Sequence, residues 1–586
     1  MLARSPSPAG SSVSIEPNQP GAVEKNPARV AETLGALVRH AATAELRQGD
    51  SIFQIVPLAY SPELGIIQWE LRDAIVSQAE CHITMQGYNA LFQFKIDQCF
   101  QHGSKLTVVA PGAIVKVRQR WQRRETVMDL KIRITSFSGV RSEHAIRDIS
   151  YGGLSFFDKN REVCGELRGE SITVEILLPT KECFSLRVQV LRHSGSTLDH
   201  SVISDVCHLQ VVRERRSAIP NCRWTTLIND RLHPGTKTGS RYCAEVWKLY
   251  SDCGYFELSG KTDSDFETLK ASYTSAVTVL DNAPELGCQV VWPTGDEGEV
   301  NAAISMLKVY RNTWLGFQMA RTRTKVDNDI SGRRILREIH LRAYEHAQLD
   351  PDLQWVLGYT QVKKVWSRLV HYELPLRYVE QGEASILRFR ALQFDVNNVP
   401  ETRKPETVLD RPTAMELFDL AETIAETRPP SYCEALDLVP ERMAMARIRQ
   451  LYGRQGLSRD RAVFVVRHLG IPMAAAVVEM GADGLHLFGL LDLVRLYPLS
   501  KEGEGFYTDL LGHCADWFQA RDKEGFCLYL EDGQELPQAT VDAATDMGEA
   551  DMIILSAKRL PELLEHLHEV TSPRTKKIEI SEADPQ

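Results

Sequence analysis

The stretch RDISYGGLSF, Arg147 to Phe156, lies between two runs of alternating residues and gathers an acid, a hydroxyl and two glycines into six positions. A hairpin turn needs only a short Gly, Asn or Asp cluster. Asp148, Ser150, Gly152 and Gly153 together, followed at once by apolar residues, therefore ask for a role beyond turning the chain. A candidate partner lies upstream in RQRWQRRE, where Arg118, Arg120, Arg123 and Arg124 fall within seven residues.

Around this stretch the texture is that of short strands. In FSLRVQVLR, Phe184, Leu186, Val188 and Val190 face one way and Ser185, Arg187 and Gln189 the other, and LKIRI alternates likewise at Leu130, Ile132 and Ile134. Six or seven such segments between about Arg118 and Arg215 suit a small barrel, whose closure hides its edges. Upstream, RVAETLGALVRHAATAEL has helical spacing at Val30, Leu34, Leu37, Val38 and Ala41, and residues 51–117 break into short apolar runs with Gly and Pro, as in a small β domain. Beyond Asn221 the pattern is mixed α/β. RYCAEVWKLYSDCGYFEL and DFETLKASYTSAVTVL read as helices, while CQVVWPT, RAVFVVRHLGIPMAAAVVEM and DGLHLFGLLDLVRL read as strands, with a tight turn at HLGIP. The polar, proline-bearing stretch Asp395 to Pro412 is the expected seam between two lobes. The expectation is a multidomain chain: a disordered tail (1–28), a helix and small β domain (29–117), a β-barrel (118–220), two α/β lobes (221–400 and 401–570) and a loose tail (571–586).

Composition narrows the partners. With 43% hydrophobic and 25% charged residues and a net charge of -10, the chain lacks the broad positive field that generic nucleic-acid or membrane-surface binding requires, so any basic function is local. The 12 cysteines contain no CxxC pair and read as small buried hydrophobes in a reducing compartment. The amino end has no signal-peptide core, and no run of about 18 apolar residues occurs. The expected location is the cytoplasm.

The pairing of RQRWQRRE with DISYGG resembles the PilZ domain, whose signature is RxxxR followed across a strand by D/NxSxxG. The matching residues are Arg120 and Arg124, then Asp148, Ser150 and Gly153, with Arg123 able to take the place of Arg124 if the strand starts one residue earlier. The resemblance continues through GGLSFF, VEILLPT, FSLRVQVLR and CHLQVV, and residues 51–117 look like the β domain that precedes PilZ in flagellar-brake proteins. It implies a bacterial signalling protein that binds the second messenger cyclic di-GMP. The residue types suit that ligand. A guanidinium is a planar fork of donors for a phosphate or for the O6/N7 edge of guanine. The Asp148 carboxylate can accept from guanine N1 and N2, Ser150 is a short donor or acceptor, and Gly152 and Gly153 leave room for close approach. Arg118 and Trp121 are candidates to lie against a guanine face. The plainer reading of each half is a solvated basic linker and a hairpin capped by its own side chains.

In the carboxy-terminal half, the order hairpin, strand, Gly-containing loop and helix from Arg461 to Phe518 is similar to the middle of a GNAT acyltransferase. That resemblance implies a loop of form Q/R-x-x-G-x-G/A holding the pyrophosphate of acetyl-CoA. The local text is KEGEGF: Gly503 and Gly505 are present, but Glu502 and Glu504 would repel a pyrophosphate. No other chemistry stands out. His566 and His568 are two apart and do not share a helix face, His340 and His346 fit packing or surface roles, and Asp492 and Glu531 sit at strand ends, where caps also sit. The expected function is a cyclic di-GMP receptor whose GNAT-like half passes on the response to a protein partner without catalysis. A cyclic di-GMP gated N-acyltransferase using acetyl-CoA is the alternative, and a nucleic-acid contact at the arginines is disfavoured by the overall charge.

Overall fold

The computed structural model describes residues 23–571 apart from 41–43, 49–50, 72–80, 87–89, 98, 120–121, 128, 136–138, 159–162, 164–166, 195–205, 213–221, 257–262, 295–297, 323–329, 362–364, 401–403 and 488. The chain forms two compact units, one ending at Arg120 and one running from Trp121 to Thr571.

In the first unit the helix Pro27–His40 buries Val30, Leu34, Leu37 and Val38, one stripe at helical spacing. The helix is shorter than its sequence pattern suggests, because Ala44–Gln48 is a strand. Ala44 and Leu46 alternate inward there, and the strand lies between Ser51–Ser61 and Cys81–Gln86. Among the described residues nine antiparallel strands make the sheet, with Ile55, Ile67, Trp69, Ile83 and Phe94 in its core. Its last strand, Ile114–Gln119, leads into the arginine segment.

The second unit begins with a closed six-strand barrel: Arg141–Ser150, Lys131–Thr135, Ser171–Leu177, Cys183–Ser194, Val206–Val211 and Gly153–Phe157, which returns to Arg141–Ser150. Leu130, Ile132, Ile134, Leu186, Val188 and Val190 fill it, as their alternation requires. Helix Cys222–Leu232 joins the same core through Trp224, Ile228 and Leu232, and Leu349 of the α/β region packs there too. Barrel and α/β region are therefore welded by apolar contact.

Beyond the barrel, the described residues build one twelve-stranded sheet with helices packed on it. Its order is Lys237–Thr238, Gly287–Pro293, Val300–Tyr310, Thr313–Arg321, Trp355–Thr360, Thr545–Ser556, Ala384–Asp395, Gly525–Glu531, Leu493–Pro498, Ile471–Gly481, Arg459–His468, Thr407–Asp410. Two neighbouring pairs are parallel, Thr313–Arg321 with Trp355–Thr360 and Leu493–Pro498 with Gly525–Glu531. The sheet runs unbroken past the stretch expected as a seam. Asp395 ends a strand that pairs with Gly525–Glu531, and Thr407–Asp410 is the edge strand. Continuity comes from Thr545–Ser556, which arrives from the far end of the chain and bridges Trp355–Thr360 to Ala384–Asp395. The run DGLHLFGLLDLVRL is a strand only from Leu493. Gly484, at φ 81°, turns against the backbone of Ser272, and the Asp492 carboxylate accepts from the Gly481 N–H at 2.9 Å, which holds the preceding residues in a loop. No helix among the described residues is long and apolar enough to cross a membrane.

Candidate functional site

Directly after the arginine segment, the two-residue strand Glu125–Thr126 lies against the DISYGG strand. Glu125 pairs with Ile149 and Thr126 with Asp148, antiparallel, and the Val127 N–H donates to the Arg147 carbonyl at 3.0 Å. That register carries Arg124, Arg123 and Gln122 past Ser150, Tyr151 and Gly152. The Arg124 Nη1 donates to Asp148 Oδ1 at 2.6 Å, with the side chains 27% and 17% exposed. The pair is half-buried yet reachable from solvent. Arg123 Nη2 lies 3.4 Å from Glu125 Oε2. Arg124, rather than Arg123, thus faces the motif aspartate. Arg120 and Trp121 lie outside the described residues, and of Arg118 only the backbone, at the end of the first unit's last strand, is described.

Ser150 is buried, and its hydroxyl donates to the Gly153 carbonyl at 3.2 Å. It closes the turn as the plainer reading of the sequence has it, leaving its oxygen lone pairs for a further contact. The glycines have separate local reasons. A Cβ on Gly152 would stand 2.9 Å from Gln122 Oε1, the movable end of a side chain, whereas a Cβ on Gly153 would stand 2.1 Å from the Leu209 carbonyl. The space at Gly153 is taken by the neighbouring strand Val206–Val211, so backbone packing accounts for that glycine.

Sequence reasoning passed over Tyr151. It is fully buried, its hydroxyl donates to Asn229 Oδ1 at 2.7 Å, and its carbonyl accepts from Trp224 Nε1 at 3.2 Å. Burial, then the negative charge of Glu345, push its pKa well up, while Arg342 and Arg123 oppose the shift. The central residue of the turn is therefore tied to the α/β region. There His233 lies 2.8 Å from Glu345 and 3.4 Å from Glu338, and Arg342 donates to Thr236. Burial works against charging His233, but the two carboxylates outweigh it and raise its pKa. A large aromatic in the middle of a polar turn, between Ser150 and Gly152, was the available signal.

The KEGEGF loop is a single 3-10 turn, Gly503–Phe506, before helix Tyr507–Gln519. A Cβ on Gly503 would stand 2.3 Å from the Met473 carbonyl. The Gly503 and Gly505 N–H groups donate to Ser500 and Glu502 carbonyls at 3.0 and 3.1 Å. Lys404 Nζ donates to the Gly505 carbonyl at 2.6 Å and sits 4.0 Å from the Phe506 ring centre. The N–H groups of both loop glycines are thus engaged within the loop. His340 is fully buried with Nδ1 2.6 Å from the Leu336 carbonyl, and His346 Nε2 is 2.8 Å from the Pro284 carbonyl, so both are packed groups.

No protein-family model matches the chain, and no curated protein matches it. Several solved structures are similar in part. MrkH of K. pneumonia, solved as a complex with c-di-GMP, is 14% identical over 33% of this chain and 90% of that one, with a TM-score of 0.28. YcgR of Escherichia coli, also in complex with c-di-GMP, is 15% identical over 33% of this chain and 84% of its own, with a TM-score of 0.25. A tandem GNAT protein from the clavulanic acid biosynthesis pathway is 11% identical over 55% of this chain and 98% of its own, with a TM-score of 0.29.

Proposed function

We propose that the barrel is a PilZ-type receptor module for cyclic di-GMP and that the α/β half carries the response. One observation supports this above the others: Arg124 and Asp148, 24 residues apart, meet at 2.6 Å beside the Ser150–Gly153 turn. A bound ligand would take the Arg124 fork onto a phosphate or the O6/N7 edge of guanine and the Asp148 carboxylate onto guanine N1 and N2. Arg118, Arg120 and Arg123 would add positive charge from the segment before the barrel, and Ser150 and Gly152 would border the ligand at the turn. Gly153 would act through the fold alone. A cyclic dinucleotide made inside bacterial cells implies a cytoplasmic receptor.

Transmission has a physical route. The turn that holds Ser150 and Gly152 also holds Tyr151, whose hydroxyl is bonded to Asn229 and whose surroundings include Glu345 and Arg342. A ligand that draws Arg124 away from Asp148 alters the charge facing this turn and biases the α/β region through it. The output is contact with a protein partner. The gated N-acyltransferase remains the second reading, favoured by the parallel strands Leu493–Pro498 and Gly525–Glu531, which pair only at Leu493 with Cys527 and Val494 with Leu528 before separating. The test is calorimetric titration of the full chain with cyclic di-GMP, with GTP and cyclic AMP as controls. Saturable binding of the cyclic dinucleotide alone supports the receptor; no heat from it refutes the reading.

A further inference from the structure

The α/β sheet buries a group of charges that neither reading uses. Arg459, Arg461 and Arg495 are 1%, 4% and 1% exposed, and all three point at one carboxylate, Glu479, which is fully buried. The strand registers place them: Arg461 is opposite Glu479, and Arg495 is opposite Val477, two residues from Glu479 on the same face. Two of the three guanidiniums have several partners. Arg459 donates to Glu479 and to the Met480 and Leu491 carbonyls, and Arg461 donates to Glu479 and to the Leu436 and Asp437 carbonyls.

Arg495 differs. Its Nη1 donates to Glu479 Oε1 at 3.3 Å, while its Nε and Nη2 are buried and have no partner among the described residues. The hydroxyl of Tyr529 is also buried and without a partner among the described residues, and the Arg495 guanidinium carbon lies 5.6 Å from the centre of the Tyr529 ring. Both residues stand one position beyond Val494 and Leu528, the last paired residues before the two parallel strands separate. The rings of Tyr359 and Phe389 pack against Tyr529, at 5.4 and 4.3 Å between ring centres.

Buried donors on a charged group are almost always satisfied in folded proteins, because leaving them bare forfeits their hydration with nothing in return. Three guanidiniums against one carboxylate also leave positive charge in excess. The Nε and Nη2 N–H bonds of a guanidinium run side by side, which is the geometry that receives the two oxygens of a carboxylate. A tetrahedral phosphate would need further donors, whereas a carboxylate is filled by this edge and the Tyr529 hydroxyl, and aromatic walls suit an organic remainder.

We propose that Arg495 and Tyr529, at the parting of the strands Leu493–Pro498 and Gly525–Glu531, form a binding site for a small organic carboxylate. The site is independent of the nucleotide reading. It explains why a sheet core keeps a guanidinium with an unused edge, since the ligand supplies the missing acceptor.

The experiment is thermal unfolding and calorimetry of the full chain with sodium acetate, sodium benzoate, inorganic phosphate and sodium chloride at matched ionic strength. Acetate or benzoate should raise the melting temperature saturably, and phosphate and chloride should not. Arg495→Met should abolish the response while melting at or above the unliganded wild type, because it removes a buried charge with unpaired donors and leaves Glu479 its other two arginines. Tyr529→Phe should fold normally and bind the carboxylate about three- to tenfold more weakly, the loss of one neutral hydrogen bond. The proposal falls if neither carboxylate binds, if phosphate binds as well as they do, or if the response survives Tyr529→Phe unchanged.

Discussion

Replacing Asp148 with alanine separates a ligand site from a mere salt bridge. In the free barrel its carboxylate is held by Arg124 at 2.6 Å, with 17% of the Asp148 side chain exposed. A charge-assisted contact to guanine, once lost, costs about 1.5 to 3 kcal/mol. Removing Asp148 also frees Arg124 from a pair that the ligand would otherwise have to open, and a half-exposed pair of this kind is worth up to about 1 kcal/mol. The net loss is then about 0.5 to 3 kcal/mol, roughly two- to a hundredfold in affinity. Arg124→Ala should lose a similar amount. The double variant loses both contacts while the offset counts once, so it should fall by about 2 to 6 kcal/mol, thirtyfold or more. Calorimetry with cyclic di-GMP measures all three, and the melting temperature of each variant controls for folding. A double variant that binds within tenfold of the wild type would refute the assignment, because it would mean that the ligand touches neither group.

Much of the barrel was legible because a half-buried strand has a period of two. Phe184, Leu186, Val188 and Val190 alternate in the sequence and are buried in the structure, and the spacing of Arg124 and Asp148 survived as a direct contact. The reasons for individual residues were less legible. Gly153 reads as room for a ligand, yet the space is filled by the Leu209 carbonyl, a neighbour that no local pattern announces. The continuous sheet escaped for the same reason: Thr545–Ser556 pairs with strands more than 150 residues earlier, and pairing at that distance leaves no periodic trace. The buried charge group was legible only in part. RDR sets Arg459 and Arg461 on one strand face, but the HLGIP turn, pairing His468 with Ile471 and Arg467 with Pro472, would by itself put Val478 across from Arg461; the bulge between Val466 and Arg467 shifts the ladder by one residue and brings Glu479 there instead, and no local pattern announces that bulge. The group's fourth member, Arg495, needs the next strand, and its unpaired edge needs coordinates.

Three further outcomes follow from packing, protonation and the acidic loop. Gly153→Ala should destabilise the chain by about 1 to 3 kcal/mol, since its Cβ would stand 2.1 Å from the Leu209 carbonyl and the strands must part; an unchanged urea midpoint would contradict the packing role given to this glycine. Acid should weaken the fold, because burial depresses His340 and His346 to about 4 and His371 to about 3. Their contribution is complete above about pH 6.5, where the unfolded imidazoles are neutral, and is lost as pH falls toward 4; His233, raised, acts oppositely and loses its contribution as pH rises through its own pKa. Urea unfolding should therefore weaken from pH 7 to pH 5 with a limiting slope of about 4 kcal/mol per unit for three protons, and a flat profile would refute the assignment of these histidines as neutral buried groups. The last outcome concerns acetyl-CoA. Repulsion by Glu502 and Glu504 and engagement of the Gly503 and Gly505 N–H groups by Ser500 and Glu502 carbonyls are two separate obstacles to holding a pyrophosphate, and only the first is removed by neutral side chains. Wild-type chain should give no calorimetric heat with acetyl-CoA, and Glu502→Gln with Glu504→Gln should give none either, because the donors stay occupied by the turn. Micromolar binding to the double variant alone would mean that charge was the whole obstacle. Binding to the wild type, with release of free CoA when an amine is supplied, would replace the transmitting role of this half with the gated transferase.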